Sequence, residues 1–472
     1  MALIHAMQGG QNGDKSFLRK SPSSSLILLL FLLGPLLLPF PSRAQVSPSE
    51  EDIAPVVTGV PITMREAVKR ALHLRPLRKI DQDRIRNVRA TEKQARASYL
   101  PQLQASYQNT YANSFLGFFL FPNYQFVDAQ LTTVTLTQLI FDFGRTTSQI
   151  SQRQWSLRAQ KDAYRVTSHS IIRDVETAYY GLIAAIEQER VTRLDVIDAR
   201  NHLDASLMRL AAGMGLKADV TQARVNLSNA ILLRIQAVNA RKKEQIVLAT
   251  AIGDLHETHY VPVLDFSLPE GLRARLLPDL RKAIEKNPAL EEARHTVNAA
   301  QDNLKAAWRQ NYPSLNGQAQ YFLAQIPPSA LGFPSLPSGP YSSFAFGGVL
   351  NIPLLEGGGN LAQIHQARAA LNESIHQKEE TELSVSSQVR QAWLDIEEAR
   401  QQLAESRTER ANALEYDRLE EGSYSAGMAT ALDVIDAQTA LRKARADVIA
   451  AKYSLAQKVV LYHYAVGDLS PP

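Results

Sequence analysis

The chain has 472 residues, of which 45% are hydrophobic and 21% are charged, and it contains no cysteine. This composition indicates a folded chain, and the absence of cysteine excludes a disulfide framework or a lipid-anchor cysteine. The formal net charge of +4 comes from interleaved acidic and basic residues, so no basic stripe supports nucleic-acid binding.

Residues 1–44 follow the plan of a secretion signal. Lys15 and Lys20 precede an apolar run over residues 26–40, and small residues end the segment at Ala44. Prolines interrupt this run, which is shorter than the ~18 to 20 residues of a transmembrane helix, so a cleaved signal is favoured over a membrane anchor. No later stretch is apolar enough to span a membrane as a helix. Any membrane segment must therefore be built from strands.

The rest of the chain is organised as two similar halves. Pro101 is matched by Pro313 at an offset of 212 residues, and Gly213 is matched by Gly427 at an offset of 214. Such a nearly constant offset predicts two copies of one structural unit. The predicted divisions are a flexible mature N-terminus over 45–61, a first repeat over 62–254, a linker over 255–275 and a second repeat over 276–469.

Each repeat opens with a helical stretch that a proline interrupts. The stretch over residues 62–98 contains Pro76, and the stretch over residues 277–310 contains Pro288. Proline removes a backbone hydrogen bond and clashes with the preceding turn, so each stretch is predicted to form two successive helices.

Two strands follow in each repeat, and their pattern is typical of membrane strands. After Pro101, apolar residues that include Leu103, Tyr107 and Tyr111 alternate with glutamine, serine and threonine. An apolar face opposite an uncharged polar face suits a membrane barrel with a polar lumen, and a soluble sheet is the alternative. Strands are predicted over 102–111, 127–141, 315–323 and 341–353, with extracellular loops over 113–124 and 326–340.

The longest predicted elements are helical hairpins that turn at Gly213 and Gly427. Between Arg145 and Ala212 there is no proline, and apolar residues recur at helical spacing, which predicts a helix of roughly 100 Å. Long, alanine-rich helices need neighbours in a coiled coil. The predicted helices cover 145–212, 216–253, 360–425 and 428–464, and turns at 142–145 and 356–359 lead into the two long ones.

Four motifs carry a resemblance to a known family. They are Tyr99-Leu100-Pro101, Tyr312-Pro313, Ile352-Pro353-Leu354-Leu355 and the hairpin motif over residues 423–438. With these motifs, the mature chain resembles the TolC-like outer membrane factor family of exit ducts. The resemblance implies an α+β membrane protein: a homotrimer sharing a 12-stranded β-barrel, four strands per chain, continued by a long α-helical coiled-coil periplasmic barrel.

The resemblance also implies a function and a set of partners. The family forms passive exit ducts in the outer membrane that extend into the periplasm. Each duct conducts substrates delivered by a periplasmic adaptor (membrane fusion) protein and an inner-membrane RND or ABC transporter. The chain is therefore expected to serve tripartite efflux or type I secretion, with drugs, metals and proteins all open as cargo.

Residues near the two glycine turns are predicted to form a periplasmic gate and selectivity site. Asp433 and Asp436 lie three residues apart on one helix face, so a trimer would stack two rings of carboxylates that favour cations. Thr430 could instead use Asp433 to cap the helix, so capping is an alternative role for that aspartate. By resemblance, Tyr424 matches a tyrosine that holds the tunnel shut, and Asp219 matches its acidic partner.

One position near the gate departs from the family pattern. A well-known member has an arginine two residues after the second glycine, where this chain has Ala429. Losing the guanidinium removes a charge-assisted bond. The closed state is therefore predicted to rest on Tyr424 and on packing of Met214 and Met428, and to be looser.

Two other classes of function were weighed. His256 and His259 flank Glu257, but they lack the helical spacing of a zinc pair and a third ligand, and no nucleophile motif occurs. The sequence therefore predicts no catalytic residue, metal site or cofactor, and no enzyme. A periplasmic coiled-coil scaffold without a membrane barrel is the alternative function.

Overall fold

The computed structural model describes residues 59–113, 126–254, 256, 259–263, 275–325 and 340–469. The predicted signal and nearly all of the predicted mature N-terminus and interstrand loops lie outside the described residues. Within the described ranges the chain is mainly helical, with one four-stranded sheet and one two-stranded sheet.

The first half of the chain contains three strands and four helices among its described residues. These are β1 (Val60–Ile62), α1 (Met64–Leu74), α2 (Pro76–Ala97), β2 (Gln102–Asn113), β3 (Phe126–Phe141), α3 (Arg145–Ala211) and α4 (Lys217–Ile252). Pro76 is the first residue of α2, as the interrupted pattern predicts. The position suits proline because the first N–H groups of a helix have no intrahelical partner.

The second half repeats this order of elements. They are β4 (Tyr260–Pro262), α5 (Leu276–Lys286), α6 (Pro288–Arg309), β5 (Ser314–Gln325), β6 (Pro340–Asn351), α7 (Gly359–Ser425) and α8 (Ala431–Val466). Helices α3 and α7 each contain 67 residues, and at 1.5 Å per residue each is about 100 Å long. None of the described helices combines the length and the apolar character that crossing a membrane requires.

The four longer strands form one antiparallel sheet in the order β2, β3, β5, β6. One row of paired residues across the sheet consists of Leu103, Leu136, Ala319 and Phe346, and the next row, on the opposite face, consists of Gln104, Thr135, Gln320 and Ala345. Adjacent rows point to opposite faces, so the first face is mainly apolar and the second mainly polar. The apolar side chains are exposed in the single chain, with Tyr107 63% exposed.

Strand β3 contains a bulge at its C-terminal end. Leu139 pairs with Asn316, whereas Phe141 pairs with the next residue, Leu315, so Ile140 is an extra residue in the ladder. Such a bulge reverses the phase of the side chains beyond it. The insertion changes the phase only at Phe141, because the register of β3 is regular up to Leu139.

A short parallel sheet that the sequence does not predict joins the two halves. Strand β1 begins inside the segment predicted to be flexible and pairs with β4, which lies in the predicted linker. The hydroxyl of Tyr179 donates to the carbonyl oxygens of Ile62 and Val263, at 3.1 and 2.8 Å. Gly59 lets the chain before β1 lie close to the chain before β4, because a Cβ at position 59 would lie only 2.0 Å from the carbonyl oxygen of His259.

The apolar stripe of α3 is buried only in part. Ile172, Val175 and Leu182 are fully or almost fully buried in the main core, as their spacing predicts. Leu194, further along the same predicted stripe, is 46% exposed. A straight helix drifts by about 20° per heptad relative to a seven-residue pattern, so one stripe cannot face the core along the whole length.

Candidate functional site

The two long helices α3 and α7 end at matching glycine turns. Gly213 and Gly427 have φ values of 74° and 76°, in the left-handed region that side chains other than glycine rarely adopt. The next N–H group in each turn reaches back over the helix end: Met214 donates to Arg209 at 2.9 Å and Met428 to Ser423 at 2.8 Å. This is the Schellman arrangement, in which glycine reverses the chain and satisfies the last carbonyl groups.

Asp433 caps the first turn of α8. Its Oδ2 accepts from the backbone N–H of Thr430 at 2.8 Å and from the Thr430 hydroxyl at 2.7 Å, and Thr430 Oγ1 accepts from the Asp433 N–H at 3.3 Å. These bonds from the Thr430 hydroxyl and backbone hold the pKa of Asp433 below its usual value. The structure therefore assigns the capping role to Asp433 within one chain.

Asp219 holds the matching position in the first repeat, but its cap is one-sided. Its Oδ2 accepts from the N–H of Leu216 at 3.2 Å, and the leucine has no side-chain oxygen with which to return the bond. Asp436 lies one turn beyond Asp433 and is exposed. Neither the helix cap nor the core uses its carboxylate, which leaves it available to face a lumen.

Tyr424 contacts the first hairpin through its ring and its carbonyl group. The guanidinium carbon of Arg209 lies 4.3 Å from the centre of the tyrosine ring, and Arg209 Nη1 donates to the Tyr424 carbonyl oxygen at 3.3 Å. The centre of the His202 ring lies 6.0 Å from the centre of the Tyr424 ring. Arg209 thus brings a guanidinium to the turn from the other hairpin, although Ala429 supplies none.

Two predicted contacts of the gate are not formed within the described chain. Tyr424 makes no hydrogen bond to Asp219 among the described residues. Met214 and Met428 are 73% and 80% exposed, so they pack little in the single chain.

A cavity of about 740 Å³ lies between the ends of the two hairpins. Helices α3, α4, α7 and α8 all contribute to its wall. Its charged and aromatic lining residues are Asp195, Asp198, His202, Arg209, Asp417, Glu421, Tyr424, Arg442 and Arg445. Arg445 and Asp198 form an ion pair across it at 3.8 Å, so the cavity is a polar contact surface between the hairpins.

Burial changes the protonation of three groups in this wall. It raises the pKa of Asp195 to about 6, against the pull of Arg442 and Arg445. It also raises the pKa of Asp417, helped by Glu421, and lowers the pKa of His202. Desolvation disfavours the charged form of each group, so the interface between the hairpins favours neutral side chains.

Sequence reasoning missed the residues of α3 that line this cavity. Asp195, His202 and Arg209 recur at seven-residue intervals, which places them on one side of the helix. The sequence pattern that marks this face is the repetition of titratable residues beside Val196 and Ala199, both of which are buried.

The histidines and carboxylates of the described residues give no sign of a metal centre. No group of three or more histidine, cysteine, aspartate or glutamate side chains in the described part of the chain could hold a metal ion.

Comparisons with known proteins agree on one family. The family model described as outer membrane efflux protein matches residues 68–254 and 280–462, one match in each half. Outer membrane efflux protein BepC of Brucella suis biovar 1 (strain 1330) is 26% identical over 383 residues, covering 76% of this chain and 77% of the relative. Outer membrane protein TolC of Escherichia coli (strain K12) is 24% identical over 383 residues, covering 80% and 76%.

Another relative is named for secretion rather than efflux. Alkaline protease secretion protein AprF of Pseudomonas aeruginosa is 25% identical over 342 residues, covering 69% of this chain and 67% of the relative.

Solved structures share the fold. A membrane protein from Pseudomonas aeruginosa superposes with a TM-score of 0.75 at 20% identity, covering 86% of this chain and 90% of that one. CusC, whose structures concern transmembrane channel formation, superposes with a TM-score of 0.74 at 17% identity, covering 86% and 92%.

Proposed function

Because the chain belongs to the outer membrane efflux protein family, we propose that it is the outer membrane exit duct of a tripartite efflux or type I secretion system. Its relatives are outer membrane proteins, and the chain is a TolC-like outer membrane factor. The duct conducts substrates passively, and we propose no catalytic activity for it.

The observation that carries the proposal is the sheet with two unpaired edges. Strands β2 and β6 lie at the ends of the order β2, β3, β5, β6, and one face of the sheet is apolar. In lipid, every backbone group must find a partner, so an open sheet is not stable there. Pairing of β2 from one copy with β6 from the next removes both edges, and three copies supply a closed barrel of twelve strands.

The long helices support an extension into the periplasm. At about 100 Å, α3 and α7 far exceed the hydrocarbon thickness of a membrane, which is about 30 Å. Each alternates buried alanine with charged residues, which suits a wall shared between copies. We infer that these helices continue the barrel as a tunnel towards a periplasmic adaptor and an RND or ABC transporter.

The gate follows from the placement of the carboxylates near the turns. Asp436 is exposed and unused by the cap, and in a trimer it would form a ring of three carboxylates that favours cations. Asp433 would form the adjacent ring while it caps α8. Tyr424 and Asp219 would close the tunnel by a contact between neighbouring chains.

The names of the relatives indicate two classes of cargo. One is named for efflux and another for secretion of a protease, and both uses fit a passive duct. The choice of transporter and cargo therefore belongs to the pump that the duct serves.

The test compares two neighbouring positions of β2 that point to opposite faces. Tyr107→Lys places a charge on the apolar face, which costs about 2–4 kcal/mol at the membrane midplane, whereas Gln108→Lys faces the polar side and costs little. We expect the purified protein to have the mass of three copies and to form single channels in planar bilayers. Of the two variants, only Tyr107→Lys should reduce the amount of trimer in outer membranes.

Two results would contradict the proposal. Equal tolerance of both lysine substitutions would show that neither face meets lipid. A soluble protein without channel activity would instead indicate a periplasmic coiled-coil scaffold.

A further inference from the structure

Two buried titratable atoms in the cavity between the hairpins have no hydrogen-bond partner among the described residues. They are Oδ2 of Asp195 and Nε2 of His202. The two side chains are only 8% and 9% exposed, and both line the cavity. They lie seven residues apart on α3, which places them on one face about two turns apart. Because unpaired buried polar groups are costly and uncommon, this pair calls for a physical explanation.

Each of the two groups favours its neutral form while the hairpins are packed. Burial raises the pKa of Asp195 from 3.8 to about 6. It lowers the pKa of His202 below 6.5, although Glu421 and Asp219 act in the opposite direction. Separated and solvated, the same groups would be an anion and a cation between about pH 4 and pH 6.

The other charged groups around the cavity nearly balance one another. From α3 come Asp198 and Arg209, from α4 Asp219, from α7 Asp417 and Glu421, and from α8 Arg442 and Arg445. Asp417 also has a raised pKa, so it acts in the same direction as Asp195, but more weakly because it is only half-buried. Asp195 and His202 differ from these groups because each has a buried polar atom without a hydrogen-bond partner among the described residues.

We propose that Asp195 and His202 form a compensating proton pair that weakens the pH dependence of the packing of the two hairpin ends in mildly acidic solution. When the hairpin ends pack, the imidazolium of His202 loses its N–H proton to solvent, and the carboxylate of Asp195 gains one from solvent as an O–H. One bond breaks and one forms, so the number of bound protons does not change. The proposal rests on the proposed function in one respect only, since it takes separation of the hairpin ends to be the opening of the duct.

Each group alone would make packing depend on pH, with opposite signs. With a raised pKa, Asp195 stabilises the packed state at low pH and loses this effect as pH rises from 3.8 to about 6. With a lowered pKa, His202 destabilises the packed state as pH falls below 6.5. The stability of the packed state depends on pH only where packing takes up or releases protons. Because Asp195 takes up a proton and His202 releases one, their effects on this pH dependence oppose each other.

The test measures how often the cavity opens. The chain has no cysteine, so Ala199→Cys places a single thiol on the cavity wall between the two residues, at a position 4% exposed. A bulky methanethiosulfonate reagent reaches this thiol only when the hairpin ends separate. Dividing its rate by that of the exposed Leu216→Cys variant at the same pH removes the intrinsic pH dependence of the thiol.

We expect opposite slopes from the two single variants in the Ala199→Cys background. Between pH 4.5 and 6.0, the normalised labelling rate of the unaltered pair should change less than that of either single variant. It should rise about tenfold with His202→Gln, which leaves Asp195 uncompensated, and it should fall with Asp195→Asn, which leaves His202 uncompensated. The double variant should be nearly flat.

The control is Asp204→Asn, which removes an exposed carboxylate of α3 that does not line the cavity. It should leave the profile unchanged. Slopes of the same sign in both single variants, or flat profiles in both, would overturn the proton pair. Labelling does not depend on conduction, so this failure is distinct from the absence of channels that would contradict the proposed function.

Discussion

The two hairpin turns share one backbone geometry and differ in their side chains. Both use a glycine near φ 75° and an aspartate six residues later that accepts a backbone N–H at the start of the return helix. The second turn alone adds a threonine hydroxyl to the cap. An offset of 214 residues also sets Tyr424 against Leu210, and Asp436 against Gln222. Backbone geometry is therefore shared, while the groups suited to gating belong to the second repeat.

The cavity between the hairpins shows the converse distribution. Asp195, His202 and Arg209 come from the first repeat, and Arg442 and Arg445 come from the second. The ion pair across the cavity therefore joins the two repeats, with Asp198 from the first and Arg445 from the second.

The largest expected difference between the hairpins concerns their small apolar clusters. Leu441 is 4% exposed and packs with Ala413 and Ala444, whereas its counterpart Leu227 is half-buried beside Ala230. Leu441→Ala should destabilise the second hairpin by about 2–5 kcal/mol, because it leaves a cavity in a packed site. Leu227→Ala should cost about half as much or less, since less area is removed from water.

Hydrogen exchange of the amides around each leucine measures this difference. Protection should fall locally around Leu441 and much less around Leu227. Equal losses would show that the first hairpin is packed as firmly as the second and that the comparison fails.

The next effect concerns the helix cap that distinguishes the turns. Thr430→Leu reduces the cap of α8 to the one-sided form seen at Leu216, and should cost about 0.5–2 kcal/mol in the first turn of the helix. The pKa of Asp433 is lowered by its bonds to Thr430. The cap therefore contributes above the ordinary aspartate pKa of about 4 and is lost as pH falls below it.

Exchange at the first amides of α8, followed from pH 7 to pH 3, reads out this effect. The unaltered chain should lose protection in the acid range after correction for intrinsic exchange, and Thr430→Leu should show less of this loss. Leu216→Thr is the matched reverse variant, because it adds to the cap at Asp219 the hydroxyl group that this cap lacks. If neither variant alters exchange, the difference between the caps has no energetic weight.

How much of the fold the sequence could predict depends on the range of the contacts involved. Prolines, glycines and strand alternation act within a few residues, so the breaks at Pro76 and Pro288 and the long helices were predicted closely. The bulge at Ile140 and the pairing of β1 with β4 depend on partners far along the chain. Local propensity does not report such partners.

The candidate site divides in the same way. The glycine turns and the Asp433 cap are local features; the turns were predicted at their residues, and the cap was one of two roles left open for Asp433. The approach of Arg209 and His202 to Tyr424 joins residues more than 200 positions apart, and only the packing of α3 against the second hairpin brings them together. The seven-residue spacing of Asp195, His202 and Arg209 marked a face of the helix without identifying what it meets.

The smallest expected effect on stability concerns Asp436, and it tests whether the difference between repeats reaches function. Its carboxylate is exposed and takes no part in the cap, so Asp436→Asn should change the free energy of unfolding by less than about 0.5 kcal/mol. If three copies face the lumen, the same change should lower the cation preference of single channels by up to about tenfold at low salt. Reversal potentials in a salt gradient across a planar bilayer measure that preference.

A second variant separates the position of the charge from its mere presence. Gln222→Asp in the Asp436→Asn background returns a carboxylate at the equivalent site of the first repeat, with the same net charge as the original chain. If only the second hairpin lines the narrow part of the duct, this variant stays weakly selective. Recovery of cation preference would mean that both hairpins line the lumen equally, so that the asymmetry between the repeats serves their packing against each other and not ion selection. Added salt should shrink either effect, because the Debye length falls to about 3 Å at 1 M.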